Sequence, residues 1–167
     1  MQTFDDFLIQ EDFQKLAYHF TPESSTTPNQ AIPWVLHGVG DGLRYPQFVH
    51  DVYHQEQFTD SPLIPLLFPL FAKLNAGSMF RIKFNATSNG EGLDIPVGWH
   101  EDSSYKNLKT AVFYINSNNG GTEFKSGEFI QSKANRVVIF DSNTTHRGVA
   151  CTDQPFRYVG NIIYYER

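Results

Sequence analysis

Residues 109–141, KTAVFYINSNNGGTEFKSGEFIQSKANRVVIFD, decide the fold class. Apolar, β-branched and aromatic residues crowd Ala111–Ile115 and Val137–Phe140, types that fit a pleated and half-buried surface. Asn119-Gly120 and Ser126-Gly127 break the runs as hairpin turns would. The same punctuation extends outward from this stretch, back to residue 76 and on to the end. Candidate strands fall at 79–85, 96–101, 109–116, 121–125, 128–132, 136–141, 145–150 and 156–165. Short strands spaced a turn apart predict a sandwich or jelly roll, with an open α+β sheet as the alternative.

Before residue 76 the pattern is helical and broken by loops. Phe13, Leu16, Ala17 and Phe20 recur at i, i+3, i+4 and i+7, which predicts a helix over 12–20. Residues 21–33 are mostly turn formers and read as a surface loop. Ser61-Pro62 reads as an N-cap with proline at the first helical position, opening a helix to about Asn75 that Pro65 and Pro69 distort. The expectation is one domain over 1–167, with 1–75 as helical and loop support over one sheet face and 76–167 as the β core.

Composition narrows the function classes. The chain has 167 residues, 40% hydrophobic and 19% charged, which rules out disorder. Phe contributes 15 residues and Tyr 8, enough rings to build a core and line a pocket. A net charge of −5 gives no broad basic footprint and argues against nucleic acid as a partner. The single cysteine, Cys151, excludes an intramolecular disulfide and a thiolate-only metal site, and reads as structural. The longest oily run, residues 62–72, carries three prolines and falls short of the ~20 apolar residues a spanning helix needs. No charged-then-apolar leader opens the chain, so the expectation is a cytoplasmic protein without a membrane partner.

Six histidines compete for the chemistry, at 19, 37, 50, 54, 100 and 146. In extended chain His100 and Asp102 face one side while Glu101 points away. His146 follows the apolar strand at 137–140. Two imidazoles and a carboxylate are the donor set of a facial triad with open positions, which suits non-haem Fe(II). Arg157 stands in an otherwise apolar and aromatic strand, where a guanidinium must find an anion or reach solvent. If its strand faces that of His146 across two sheets, roughly 10 Å separates them. A small dicarboxylate keto acid could bridge such a gap, paired at one end with the planar guanidinium.

The other histidines read otherwise. His50 and His54 are spaced i, i+4 but lack an H-E-x-x-H motif, and read as surface residues. His37 reads as a hydrogen-bonded loop residue before Gly38, and His19 as the end of the first helix. Arg81, Lys83 and Asn85 alternate with Ile82, Phe84 and Ala86 and give one polar strand face. Arg81 and Lys83 on that face read as solvated or substrate-facing.

The order His100-x-Asp102, His146, Arg157 resembles that of the 2-oxoglutarate- and Fe(II)-dependent oxygenases. More narrowly, Ala111-Val112-Phe113-Tyr114-Ile115-Asn116, Gly120-Gly121-Thr122-Glu123-Phe124 and Asn135-Arg136-Val137-Val138-Ile139-Phe140 resemble the prolyl 4-hydroxylase branch, in particular its small stand-alone bacterial and bacteriophage members. So does the aromatic-acidic stretch Phe4–Leu8 ahead of the first helix. The resemblance covers 76–165 well and the first 75 residues loosely. It implies a mostly β, cupin-like double-stranded β-helix with N-terminal helices. It also implies His100, Asp102 and His146 as iron ligands, and Arg157 and Tyr114 on the distal carboxylate of 2-oxoglutarate. Asn85 falls at its keto-acid end. The implied activity is hydroxylation of a C–H bond with Fe(II), 2-oxoglutarate and O2, on a peptidyl proline. Another small molecule or a nucleic acid at the same iron site, or a non-catalytic binding module, is the alternative. Val159 and Trp99 depart from the family pattern and bear on pocket shape. Loops 21–33, 38–46 and 86–98 would set specificity.

Overall fold

A computed structural model describes residues 1–21, 24, 31–37, 47–90 and 98–167. Two sheets face each other, and among the described residues two helices cover the outer side of the larger one. In chain order the elements are β1 (Gln2–Phe4), α1 (Gln10–Tyr18), β2 (Val35–His37), β3 (Gln47–His54), β4 (Gln57–Phe58) and α2 (Ile64–Lys73). Then follow β5 (Ala76–Ser88), β6 (Leu108–Tyr114), β7 (Gly121–Phe124), β8 (Phe129–Gln131), β9 (Arg136–Asp141), β10 (His146–Val149) and β11 (Phe156–Glu166). The large sheet runs β1-β9-β6-β11-β5-β3-β2, with β4 on β3; the small sheet runs β10-β7-β8. Every pairing is antiparallel. Strands that switch between two facing sheets make this a jelly-roll double-stranded β-helix.

The period of two along each central strand divides the interior. On β5, Ile82 and Phe84 pack toward the helices, and on β6 so do Ala111 and Phe113; β11 contributes Ile162 and Tyr164. Leu16 of α1 and Leu67 and Leu70 of α2 meet them, all fully buried. The alternate residues Val112, Tyr114 and Val159 point between the sheets and close a second, smaller cluster with Phe124, Val138 and Phe140. Arg81, Lys83, Asn85 and Thr87 share that inner face of β5. Gly120 and Gly121 admit no side chain: a Cβ would lie 2.6 Å from the Val149 carbonyl at the first and 2.4 Å from the Ile130 carbonyl at the second.

Several expectations need correction. The first 75 residues are not helix and loop alone, because β1, β2, β3 and β4 extend the large sheet. A bulge between Asp51 and Tyr53 breaks the alternation of β3, so its period is not legible in the sequence. The first helix starts at Gln10, not 12, and the second at Ile64 with Pro65 in its first turn and Pro69 inside it. Asn119-Gly120 does not close a hairpin, since β6 and β7 lie in different sheets. Ser126-Gly127 does, with Gly127 at φ +98°. Of the expected strand 96–101, residues 96 and 97 lie outside the described residues, and among 98–101 His100 alone pairs, in a single bridge to His146. Loop 38–46 and most of 21–33 and 86–98 lie outside the described residues, and 86–88 continue β5. Among the described residues no helix is long and apolar enough to cross a membrane.

Candidate active site

Residues of both sheets line a cavity of about 390 Å³. His100, Asp102 and His146 stand on its wall, with one ligand atom from each lying within 4.8 Å of the others. His146 opens β10, while His100 and Asp102 lie outside any strand. The chain still holds them firmly: His100 and His146 exchange two backbone hydrogen bonds of 2.9 Å, and the Asp102 amide donates to the Ser142 carbonyl at 2.9 Å.

Each imidazole is oriented by the backbone. Nδ1 of His100 lies 3.0 Å from the Gly98 carbonyl, and Nδ1 of His146 lies 2.8 Å from the Thr144 carbonyl. A carbonyl only accepts, so Nδ1 carries the proton and Nε2 keeps a lone pair free. Nε2 of His146 lies 3.5 Å from Asp102 Oδ2. Burial lowers the His146 pKa, which favours the neutral ring a metal needs. Asp102 is gripped by three donors: Arg81 Nη2 at 2.9 Å, the Thr110 hydroxyl at 3.0 Å and the Asn161 amide at 3.2 Å. These are the outer-shell partners that fix a ligand carboxylate.

Arg157 lies in the same cavity wall, 4% exposed. Its Nε donates to the Ser132 hydroxyl at 3.0 Å and its Nη2 to Thr122 at 3.3 Å. Its guanidinium carbon sits 5.5 Å from the Tyr114 ring centre. Among the described residues no carboxylate pairs with it. Burial lowers its pKa, the mark of a desolvated charge without a counter-ion. Arg157 and Asn161 are four residues apart on β11, about 13 Å along a strand, and Asn161 holds Asp102.

Asn85 lines the cavity between these ends, and its buried Oδ1 has no partner among the described residues. Tyr114 is nearby but not in the lining: it is fully buried, and its hydroxyl donates to Thr122 at 2.8 Å. Burial raises its pKa, keeping it a neutral donor. Val112, Val149 and Val159 give the cavity an apolar flank, and Trp99 stands at its rim, 37% exposed. The Arg147 guanidinium lies 4.4 Å and the Lys125 ammonium 4.9 Å from the Trp99 ring centre.

This is the architecture of enzymes already solved. Similar structures include a prolyl-4-hydroxylase from Pseudomonas putida, at TM-score 0.61 and 13% identity over 99% of this chain and 92% of that one. A prolyl hydroxylase from Trichoplax adhaerens, in complex with a hypoxia inducible factor peptide fragment, gives TM-score 0.61 at 11% identity, covering 99% and 83%. The epimerase SnoN of nogalamycin biosynthesis, in complex with Fe3+ and alpha ketoglutarate, gives 0.62 at 13%, covering 98% and 78%. The chain has the fold of the 2-oxoglutarate-dependent, non-haem oxygenases. No family model and no curated protein matches its sequence.

Sequence reading of this oxygenase fold missed several residues of the site. Arg81 does not line the cavity, and its guanidinium, partly exposed, pairs with Asp102. Asn161 carried a legible signal: it is polar in an apolar strand, two and four residues from Val159 and Arg157, hence on their face. Thr110, Thr122 and Ser132 had none, since hydroxyls are common in strands. His50 is not a surface residue. It is 4% exposed on β3, with its ring bonded to the Pro33 carbonyl at 3.0 Å and the Ser61 hydroxyl at 2.7 Å. His54 ends the same strand, exposed. His37 ends β2 and lines the cavity mouth. His19 caps α1, and Cys151 is buried with its sulfur 3.4 Å from the Gln154 carbonyl.

Proposed function

We propose that the chain is an Fe(II)- and 2-oxoglutarate-dependent dioxygenase that hydroxylates an unactivated C–H bond. One observation carries the reading: a two-imidazole, one-carboxylate donor set and a buried arginine without a counter-ion open into one cavity. The donor set fits iron(II), because both Nε2 lone pairs are free and the carboxylate is held from behind. An arginine that ignored ligands would be paired with protein carboxylate instead.

With Fe(II), 2-oxoglutarate and O2 bound, the centre would supply oxidative decarboxylation to succinate and CO2 coupled to C–H hydroxylation. His100, Asp102 and His146 would hold the metal. Arg157 would receive the distal carboxylate of the keto acid, with Ser132 and Thr122 fixing the plane of its guanidinium for two-point recognition. Asn85 lines the space between, and its buried Oδ1 has no partner among the described residues. Val112 and Val159 keep that space partly dry, which strengthens each polar contact within it.

The substrate we infer is a peptidyl proline. Support comes from the stretches at 111–116, 120–124 and 135–140 and from the shared architecture with prolyl hydroxylases, one of them solved with a peptide. Trp99 at the rim offers an aromatic surface to a proline ring. A small-molecule substrate uses the same centre, and the charge of −5 disfavours nucleic acid. The deciding experiment incubates the protein with Fe(II), 2-oxoglutarate and, in parallel, proline-containing peptides, free proline and methylated oligonucleotides. Succinate and a peptide heavier by one oxygen are expected. Oxygen gained on free proline or nucleic acid alone would replace the peptide reading. Absence of succinate together with absence of metal-dependent 2-oxoglutarate binding would leave only a binding module.

A further inference from the structure

Among the described residues three formally charged side chains line the cavity: Asp102, Arg157 and Lys83. The first two are accounted for, and Lys83 is not. It is half-buried on the inner face of β5, and among the described residues it forms no ion pair and no hydrogen bond through its ammonium. A lysine stem is long enough to carry its charge out to water where nothing holds it in. This one lines the cavity, and burial holds its pKa below the ordinary lysine value.

Its surroundings among the described residues leave the charge unanswered. Across the sheet Lys83 pairs with Asn161 on one side and Asp51 on the other. The Asn161 amide is committed to Asp102. Asp51 is exposed, and neither it nor Asp102 comes within ion-pair distance. The register puts Lys83 level with Asn161, hence about 13 Å along the strands from the row of Arg157. An anion on Lys83 is therefore a different group from the one on Arg157. It would sit on the β5–β3–β2 side of the triad, away from β6 and β7. Among the described residues, with a divalent metal and the keto-acid dianion in place, Arg81, Lys83, Arg157 and the metal outweigh Asp51, Asp102 and the keto acid by one positive charge. A single negative charge balances the cavity, so a carboxylate suits it better than a phosphate dianion.

We propose that Lys83 is a specificity-determining residue that receives one carboxylate of the molecule to be oxidised and so holds its neighbouring C–H bonds beside His100, Asp102 and His146. That the bound molecule is oxidised rests on the oxygenase reading; the anion site does not. The test uses protein loaded with Zn(II) and saturated with 2-oxoglutarate, which cannot turn over. The side-chain ammonium signal of Lys83 is followed by nitrogen-15 NMR and assigned by its loss in Lys83→Met. Acetate is the probe and acetamide its uncharged match. Acetate is expected to move the Lys83 signal saturably with the keto acid already bound, and acetamide to leave it in place. Followed at the Asn161 side-chain amide, acetate affinity should survive in Lys83→Arg and fall roughly tenfold or more in Lys83→Met, as loss of a charged hydrogen bond implies. The proposal is overturned by an equal response to acetamide, by no response, or by acetate acting only without keto acid. It is equally overturned if Lys83→Met loses 2-oxoglutarate as Arg157→Ala does. Failure of wild-type protein to bind 2-oxoglutarate with Zn(II) would sink the oxygenase reading instead, and the acetate response would still judge Lys83.

Discussion

The two ends of the cavity are built differently. At the Arg157 end every group comes from or abuts continuous strands: Arg157 from β11, Thr122 from β7, Tyr114 from β6 and Ser132 just past β8. The side chains there are nearly inaccessible, between 0% and 4% exposed. At the triad end only His146 belongs to a strand. His100 is exposed and reaches the sheet through one bridge, and Asp102 is placed by the Ser142 carbonyl and by side chains from β5, β6 and β11. One end is preformed by the sheet. The other is assembled by long-range hydrogen bonds, and a bound metal would be a further tie across it.

This contrast can be broken from either side. The largest effect is expected at the assembled end: His146→Ala should abolish iron binding and succinate formation while leaving circular dichroism unchanged, because the backbone bonds to His100 do not involve the ring. Retained iron stoichiometry would show that the metal sits elsewhere. Next comes the preformed end. Arg157→Ala removes a charge-assisted partner, and such losses cost about 2–5 kcal/mol, or roughly 30- to 4000-fold in 2-oxoglutarate affinity. Calorimetric titration should find that loss with iron affinity unaltered, and a parallel fall in iron affinity would couple the two ends.

The smallest effect sharpens the comparison. The resemblance implied a Tyr114 hydroxyl on the distal carboxylate, whereas here it bonds Thr122 and lies behind the lining. Tyr114→Phe should therefore cost about 1 kcal/mol of stability in denaturant melts, the worth of a neutral hydrogen bond, and little keto-acid affinity. An affinity loss larger than that stability loss would mean that the hydroxyl turns to the cosubstrate.

Much of this was legible from the chain. The turn-punctuated strands after residue 76 imply a jelly roll because alternation and turn residues are local properties, written within a few positions. His100, Asp102 and His146 stand out as a donor set suited to a metal, and Arg157 as a charge in an otherwise apolar strand. The N-terminal strands were not legible: β1 and β2 are three residues each and exist only because β9 and β3 lie beside them. Nor was the role of Arg81, whose carboxylate partner lies 21 residues away, or of His50, whose i, i+4 spacing with His54 suits a helix but falls on a bulged strand.

Residue types and their periods thus settle which elements form and which side chains have no business in an apolar core. They do not settle which of those side chains meet. The convergence of His100 and Asp102 with His146 and the isolation of Lys83 from Arg157 follow from register between strands distant in sequence. Register is decided by burying one face of every strand at once, a cooperative condition that no local stretch contains.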